Sequence, residues 1–297
     1  MMPTQDAWPA LPLSAWADTY ATLHMWTQIV GKIRLALAPR VNHWWHVPLY
    51  VSARGLTSSA IPYGSRTFEM TFDFIDHQLR LDTCDGNRRT VALAPRTVAD
   101  FYADVMESVR ALQIDVGIWP MPVEVPSPIR FDQDTQHASY DPMWANRWWR
   151  ILQQVDGVFQ EFRGRFLGKS SPVHFFWGSF DLAVTRFNGR PAPLRSDPIM
   201  REAYSHEVIS AGFWPGGGAV PDTSFYAYAA PEPAGFKGAS VSPPDATYRS
   251  DLGEYLLPYE SMRTAASPRN VLLEFLQTTY EAGADPQAWN RQALERQ

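Results

Sequence analysis

Four prolines, Pro120, Pro122, Pro126 and Pro128, fall within eleven residues near the middle of the chain. Proline has no N–H to give a helix interior or a central strand, so 120–130 reads as a connector passing over the surface between two halves. On each side the same order recurs: a long amphipathic stretch, several strand-like stretches and a closing helix.

In the first half Ser14 is expected to cap a helix. Trp16, Tyr20, Leu23, Trp26, Val30, Ile33 and Leu37 then follow at steps of three and four, which places one apolar stripe on one helix face, and Pro39 ends it. Strand-like patterns cover 43–54, 67–75, 78–83 and 88–93, a helix covers 97–112, and an extended piece covers 114–124. In the second half Asp141-Pro142 is an N-cap followed by proline at the first helical position. The stripe Trp148, Ile151, Val155, Phe159, Phe162 and Phe166 carries that helix to about 167. Strands are expected at 173–187, 206–213, 222–229 and 247–257, and a last helix over 268–282, opened by Ser267-Pro268 and ended by Gly283.

Two strings align between the halves. His43-Trp44-Trp45 through Val51 lies over His174-Phe175-Phe176 through Leu182, and Pro95-Arg96-Thr97-Val98 lies over Pro268-Arg269-Asn270-Val271. The expectation is an α+β fold of two diverged helix–antiparallel sheet–helix units related by a pseudo-twofold, the helices backing the sheets. The first unit spans 1–118, the connector 119–139 and the second unit 140–297, all within one compact fold.

Composition narrows the function classes. Net charge is −5, from 26 basic and 31 acidic residues with no basic run, which argues against nucleic acid, where Lys and Arg neutralise phosphates. No apolar run approaches the ~20 residues of a membrane span, and Met1 to Asp6 has neither the charged start nor the apolar core of a signal peptide. The one cysteine, Cys84, allows no intrachain disulfide and sits in the turn Asp82-Thr83-Cys84-Asp85-Gly86. A cytoplasmic protein is expected. Aromatic residues make up 13%, including 12 Trp, a content that suits cores and also ligand-facing walls.

Strand parity sorts residues onto faces. Trp45, Val47, Leu49 and Val51 share one face of the first aromatic strand, opposite Trp44, His46, Tyr50, Ser52 and Arg54. Phe176, Phe180, Leu182 and Val184 oppose Trp177, Ser179, Asp181 and Thr185; Phe225, Ala227 and Ala229 oppose Ser224, Tyr226 and Tyr228. Each half thus pairs an apolar face with one that mixes aromatics and ionisable groups. A face open to water favours Lys, Glu, Thr and Ser, so the mixed faces point to a covered cleft or an interface.

The segment from Ser205 to Gly218 carries the strongest chemical pattern. Ile209, Ala211 and Phe213 mark the core parity, which sets His206 and Ser210 on the mixed face with Asp181. Histidine transfers protons near neutral pH and a carboxylate fixes its tautomer, so His206 with Asp181 or Glu207 is the candidate acid–base pair. Trp214 follows, and Gly216–Gly218 form a loop without the Lys-Ser/Thr of a Walker motif. A Ser-His-Asp triad with Ser210 fails on distance, about 13 Å along the strand, and no nucleophile elbow surrounds Ser179. His43-x-x-His46 resembles a metal pair, but on a strand the two point to opposite faces. A site from His46, His206 and Asp181 is the remaining metal reading, and no metal or cofactor is assigned. Ligand contacts are expected from His46, Tyr50, Arg54, Trp177, Ser179, Trp214, Tyr226 and Tyr228. In the connector cluster Asp132, Asp134, His137, Tyr140 and Asp141, His137 is the candidate lid residue.

Met25-Trp26-Thr27-Gln28-Ile29-Val30-Gly31-Lys32, Asn42 through Tyr50, Phe175 through Phe187, and Ser205-His206-Glu207 through Gly217 together resemble the bacterial domain-of-unknown-function family 5996, over essentially the whole chain. The resemblance implies a stand-alone protein and brings no activity, cofactor or catalytic residue. The leading expectation is a small-molecule enzyme with His206 acid–base chemistry in an aromatic-lined cleft. A non-catalytic small-molecule binding protein comes next, then an interaction or dimerisation protein using the same face.

Overall fold

Alternation of side chains decides how the sheets pack. In the computed structural model, which describes residues 6–296, Phe68, Met70 and Phe72 are buried on one side of their strand, as are Leu79 and Leu81 on the next. Leu182 with Val184, Ile209 with Ala211 and Phe213, and Phe225 with Ala227 and Ala229 do the same in the second half. Each large side chain so buried contributes about 1.5–3 kcal/mol, which is why parity holds along these strands. Met1 to Gln5, the start in which no signal peptide is expected, lies outside the described residues.

The chain runs α1 (Ala17–Leu37), a 3₁₀ turn (Asn42–Trp44), β1 (Tyr50–Val51), β2 (Gly55–Thr57), β3 (Ile61–Tyr63), β4 (Arg66–Asp73), β5 (Gln78–Thr83), β6 (Arg88–Ala92) and α2 (Val98–Ala111). After the connector come α3 (Pro142–Gly164), β7 (His174–Phe176), β8 (Asp181–Pro191), α4 (Pro198–Ala203), β9 (His206–Trp214), β10 (Ser224–Ala230), β11 (Thr247–Arg249), β12 (Glu254–Pro258), α5 (Tyr259–Arg263), α6 (Pro268–Ala284) and α7 (Arg291–Leu294). The fold is α+β with two antiparallel sheets. One has the order β1-β2-β4-β5-β6 with β3 also on β4, and the other β11-β12-β10-β9-β8-β7. They meet edge to edge where Leu49 and Phe175 exchange backbone hydrogen bonds, N–O 2.9 and 2.8 Å. Trp148 of α3 packs across that junction, stacked on Phe180 at 4.7 Å and edge-on to Phe74 and Phe175.

Helix α1 departs from the amphipathic expectation. Every residue from Thr22 to Arg34 is buried, the polar ones included. Trp26 stacks on Phe101 of α2 at 4.4 Å, while the connector, the loop after β2 and the reversal before β8 close the other sides. The connector does pass over the surface at 120–130, where only Pro122 is buried, but it is tied down along its length. Phe131 and Asp134 are fully buried, Val123 is tied to α1, and the extended piece expected at 114–124 pairs with no strand.

Other expectations change in identifiable ways. Ser14 is not the cap of α1; a short 3₁₀ turn, Leu13–Ala15, leads in, and the helix begins at Ala17 without a side-chain cap. Asp141 does cap α3, its Oδ1 accepting from the Met143 N–H at 2.8 Å. The stretch 43–54 is not one strand. His43 and Trp44 hold left-handed backbone, φ 59° and 61°, and the chain turns again between β1 and β2. Alternation cannot be carried through such residues, so the parity assigned to His46, Tyr50 and Arg54 fails. The paired strings also occupy different elements. Residues 43–45 lie in a turn and 174–176 in β7, while α2 starts at Val98 and α6 at Pro268, three positions apart in that alignment. The strand expected over 173–187 is broken by a reversal at 177–180, with Phe180 at φ 60°.

Beside the sheet junction His174 is almost wholly buried among Trp45, Tyr50 and Phe176, with its Nε2 unpartnered. Burial, with the charges of Arg34 and Arg163, pushes its pKa down to about 3. An unfolded histidine takes up its proton near 6.5, about three units higher, so acidification favours the unfolded chain. The stability tied to neutral His174 is intact above pH ~6.5 and is lost as pH falls toward 3. His174→Phe is expected to melt higher than the wild type by a margin that grows between pH 7 and 4, measured by scanning calorimetry. A margin independent of pH would refute this account.

Candidate functional site

The second sheet turns one face to the helices and the other toward the 42–47 segment, the connector and α4. On that other face Asp181, Ala183 and Thr185 of β8 lie beside Ser210, Gly212 and Trp214 of β9, which lie beside Tyr226 and Tyr228 of β10. Gly212 makes room for the Tyr226 ring, because a Cβ there would fall 2.2 Å from the ring carbon bearing the hydroxyl. With α4 and the 3₁₀ turn over it, the face borders two adjoining chambers. One, of about 590 Å³, is mainly apolar and has Trp44, Trp45, Trp119, Phe176 and Trp177 in its wall. The other, of about 540 Å³, is more polar and includes Arg195, Trp214 and Glu254. Glu124, Ser179, Asp181, Tyr204, Tyr226 and Tyr228 line both.

Asp181 stands at the junction, buried, and accepts hydrogen bonds from the Ser179 and Tyr226 hydroxyls. Burial nevertheless raises its pKa, the two donors only partly offsetting the loss of water. Glu254, half-buried on β12, is pushed up to about 7 by burial, with the Asp181 charge adding to the effect. Glu124 rests its carboxylate against Gly178 at the more open rim and is raised for the same two reasons. A hydroxyl network completes the floor. Tyr204 and Tyr228 share a hydrogen bond of 2.7 Å, and Thr185 and Ser210 one of 2.9 Å. The Glu254 carboxyl, pushed up to about 7, is placed to take up or release a proton near neutral pH in the polar chamber.

Strain gathers in the same walls. His43, Trp44 and Glu124 all line the apolar chamber with left-handed backbone, the last at φ 57°. Such a conformation costs a non-glycine residue on the order of 1–3 kcal/mol and persists only where surrounding contacts hold it. Here His43 donates through Nδ1 to the Ala203 carbonyl at the end of α4, 3.1 Å away, and so fastens the turn to the helix above it.

The expected site residues divide into two groups. Trp177, Ser179, Asp181, Trp214, Tyr226 and Tyr228 come together in the chambers. His206 does not line them. Its Nδ1 meets the Ser205 hydroxyl at 3.1 Å, and its ring faces His43 at 5.8 Å, so it borders the cleft only through His43. Glu207, the next residue on a strand, points to the opposite face and pairs with Arg190 at 2.7 Å and Asn188 at 2.5 Å. His206 and Glu207 therefore cannot act as a pair. His46 is buried under Trp44 and accepts from the Val41 N–H at 3.2 Å. Arg54 sits in the β1–β2 turn with Asp73 and Asp76, at 2.5 and 2.6 Å, and Tyr50 stands between His174 and Arg34. His137 bonds Asp134 at 2.7 Å and is not among the residues that line the two chambers. Among the described residues no group of three His, Cys, Asp or Glu side chains could hold a metal ion, which leaves the His46–His206–Asp181 reading without geometry.

Sequence reasoning passed over Lys32, Glu124, Tyr204 and Glu254. Glu124 lies in the proline-rich segment taken for a surface strap, and Tyr204 follows a short helix the pattern did not reveal. Glu254 had a usable sign: alternation with Tyr255 and Leu257 puts it on the same side of its strand as Leu256, which pairs with Tyr226 of the mixed face.

The family model described as "Family of unknown function (DUF5996)" matches residues 8–296. The chain belongs to the DUF5996 family. No curated protein matches it, and no solved structure does. Both chambers lie within the DUF5996 match, as do α4 and the connector that border them. Among the described residues no helix is long and apolar enough to cross a membrane.

The Glu254 carboxyl is the group whose titration tests this geometry. It is expected to show a midpoint near 7 by ¹³C NMR, against ~4.3 for a solvated glutamate. Because its folded pKa is raised, the stability tied to the protonated carboxyl is fully present below ~4.3 and is lost as pH rises from there to about 7. Glu254→Gln is thus expected to gain melting temperature relative to the wild type between pH 5 and pH 8. A midpoint near 4.5 would mean that water reaches the carboxylate freely.

Proposed function

We propose that this protein is a small-molecule enzyme whose substrate sits in the two-chambered cleft, with proton transfer carried by Glu254 and the Asp181–Tyr226 pair. The observation that carries the reading is that Asp181 and Glu124 line both an aromatic-walled chamber and the polar one beside it, and that Glu254 lines the polar one with them. Their raised pKa values agree with general acid–base work near neutral pH, where a carboxyl is most useful if it can hold a proton. His206, the sequence candidate, supports the wall through its contact with His43 in this reading and does not touch substrate.

A non-catalytic binding protein is the second reading, and the extent of apolar aromatic wall in the larger chamber favours it. The third, a flat interaction face, has less support because α4 and the 3₁₀ turn cover the sheet there. The internal duplication expected from the sequence also stays a proposal. It is supported by the shared order of helix, meander and helix, and by the antiparallel pairing next to the first strand of each meander, Leu49 with Phe175.

A thermal-shift screen of a small-molecule library supplies ligands, and mass spectrometry then follows their conversion. For a converted ligand, Asp181→Asn or Glu254→Gln is expected to keep a thermal shift but lose ~10²–10⁴-fold in turnover, the usual contribution of an acid–base group. His206→Ala should stay within a few-fold of the wild type. Conversion that survives loss of both carboxylates but not of His206 would return the chemistry to the histidine. Ligands that shift the melting temperature and are never converted would make the protein a binder.

A further inference from the structure

On α1, His24, Gln28 and Lys32 succeed one another at four-residue steps and so form one stripe of a helix that has no solvent face there. A polar group taken out of water must find a partner or lose free energy, and the first two do. His24 donates through Nε2 to the Gly178 carbonyl at 2.7 Å, staying neutral because burial lowers its pKa to about 4. The Gln28 amide donates to the Val123 carbonyl and accepts from the Val123 N–H, both at 2.8 Å.

Lys32 is the next rung, and the pattern breaks. The residue is 6% exposed, and its ammonium lies 5.0 Å from the Trp119 ring and 5.8 Å from that of Trp177, in the wall of the apolar chamber. Among the described residues no carboxylate lies within ion-pair distance of it, Glu124 of the same chamber included. Its neighbour Gly31 explains how the indole comes so close, since a Cβ there would sit 2.3 Å from Trp177. The indole is held in turn by its Nε1–H bond to the Val47 carbonyl at 2.9 Å. A largely buried lysine thus presents its ammonium to the chamber, with aromatic rings beside it and, among the described residues, no carboxylate within ion-pair distance.

We propose that Lys32 is the anchor for a carboxylate on a ligand whose aromatic or aliphatic body fills the chamber. The inference rests on the reading of the cleft as a small-molecule site and names the class of molecule that enters it. One ammonium matches one carboxylate charge. A phosphate brings nearly two charges and three acceptor oxygens, more than a lone lysine satisfies in an apolar wall that also contains Glu124. With its acid end at Lys32, the ligand presents its remainder to the junction where Asp181 stands. Burial lowers the Lys32 pKa, and an arriving carboxylate restores the ammonium, so binding weakens as pH rises past the range of that amine.

Isothermal titration calorimetry with 3-phenylpropionate, its neutral amide and phenyl phosphate tests this. The wild type should bind the acid at least ~10-fold more tightly than the amide, as expected for a charge-assisted hydrogen bond out of water. Lys32→Met keeps the apolar stem, and it should lose that preference while binding the amide as before. Equal binding of acid and amide by the wild type would overturn the anchor while leaving the cleft in use; that comparison needs no variant, should Lys32→Met fail to fold. A preference that persists in Lys32→Met also overturns it, and tighter binding of phenyl phosphate overturns the choice of carboxylate. If none of the three probes binds the wild type, the small-molecule reading of the cleft falls, and the anchor falls with it.

Discussion

Burial of α1 on every side from Thr22 to Arg34 is the constraint that the other segments answer to. A helix with one wet face can leave its polar side chains to water, but this one cannot. Gln28 draws the connector inward at Val123, His24 holds the reversal that precedes β8, and Arg34 reaches the Ser58 carbonyl between β2 and β3. Each bond contributes only about 1 kcal/mol net, whereas an unmet buried group costs about 1–3 kcal/mol. The penalty for omission thus does more to place these segments than the gain from the bonds. Through them α1 touches both sheets and the proline-rich segment that separates the halves.

The cleft follows from what those segments cover. The connector and the 3₁₀ turn at Asn42–Trp44 leave the mixed face of the second sheet roofed but not filled. Two successive left-handed residues in that turn cost several kcal/mol together. Burying His43 and half-burying the rings of Trp44 and Trp45 offsets part of that cost. The His43 bond to α4 then keeps the turn from relaxing. Beneath this roof the Asp181 carboxylate lies where water is scarce, and burial raises its pKa, as it raises that of Glu254 in the adjoining polar chamber.

Where alternation is strict, the sequence was readable to within a residue or two. The patterns over 78–83, 88–93 and 206–213 match β5, β6 and β9, and the capped helix at Asp141-Pro142 begins where expected. The same parity brought Asp181, Tyr226 and Tyr228 to one face, while Ser179 joins them from the reversal at 177–180, where alternation does not hold. It failed at 43–54, because a run of histidine and tryptophan carries no mark of the left-handed backbone at His43 and Trp44. That one lost register moved His46, Tyr50 and Arg54 off the site. Proximity in sequence misled at His206-Glu207, where adjacent strand residues face opposite ways.

By itself the sequence determined the α+β class, the helices α2, α3 and α6, and which face of the second sheet would mix aromatics with ionisable groups. All of these come from local periodicity and caps, which act over a few residues. Only the tertiary structure decided that α1 is buried all round, that Glu124 and Glu254 line a chamber with Asp181, and that Lys32 faces the apolar chamber with no carboxylate within ion-pair distance among the described residues. Those facts depend on segments from far along the chain meeting at one place. Whether a charged side chain is solvated, paired or stranded is set by those segments, and no pattern within its own helix records it.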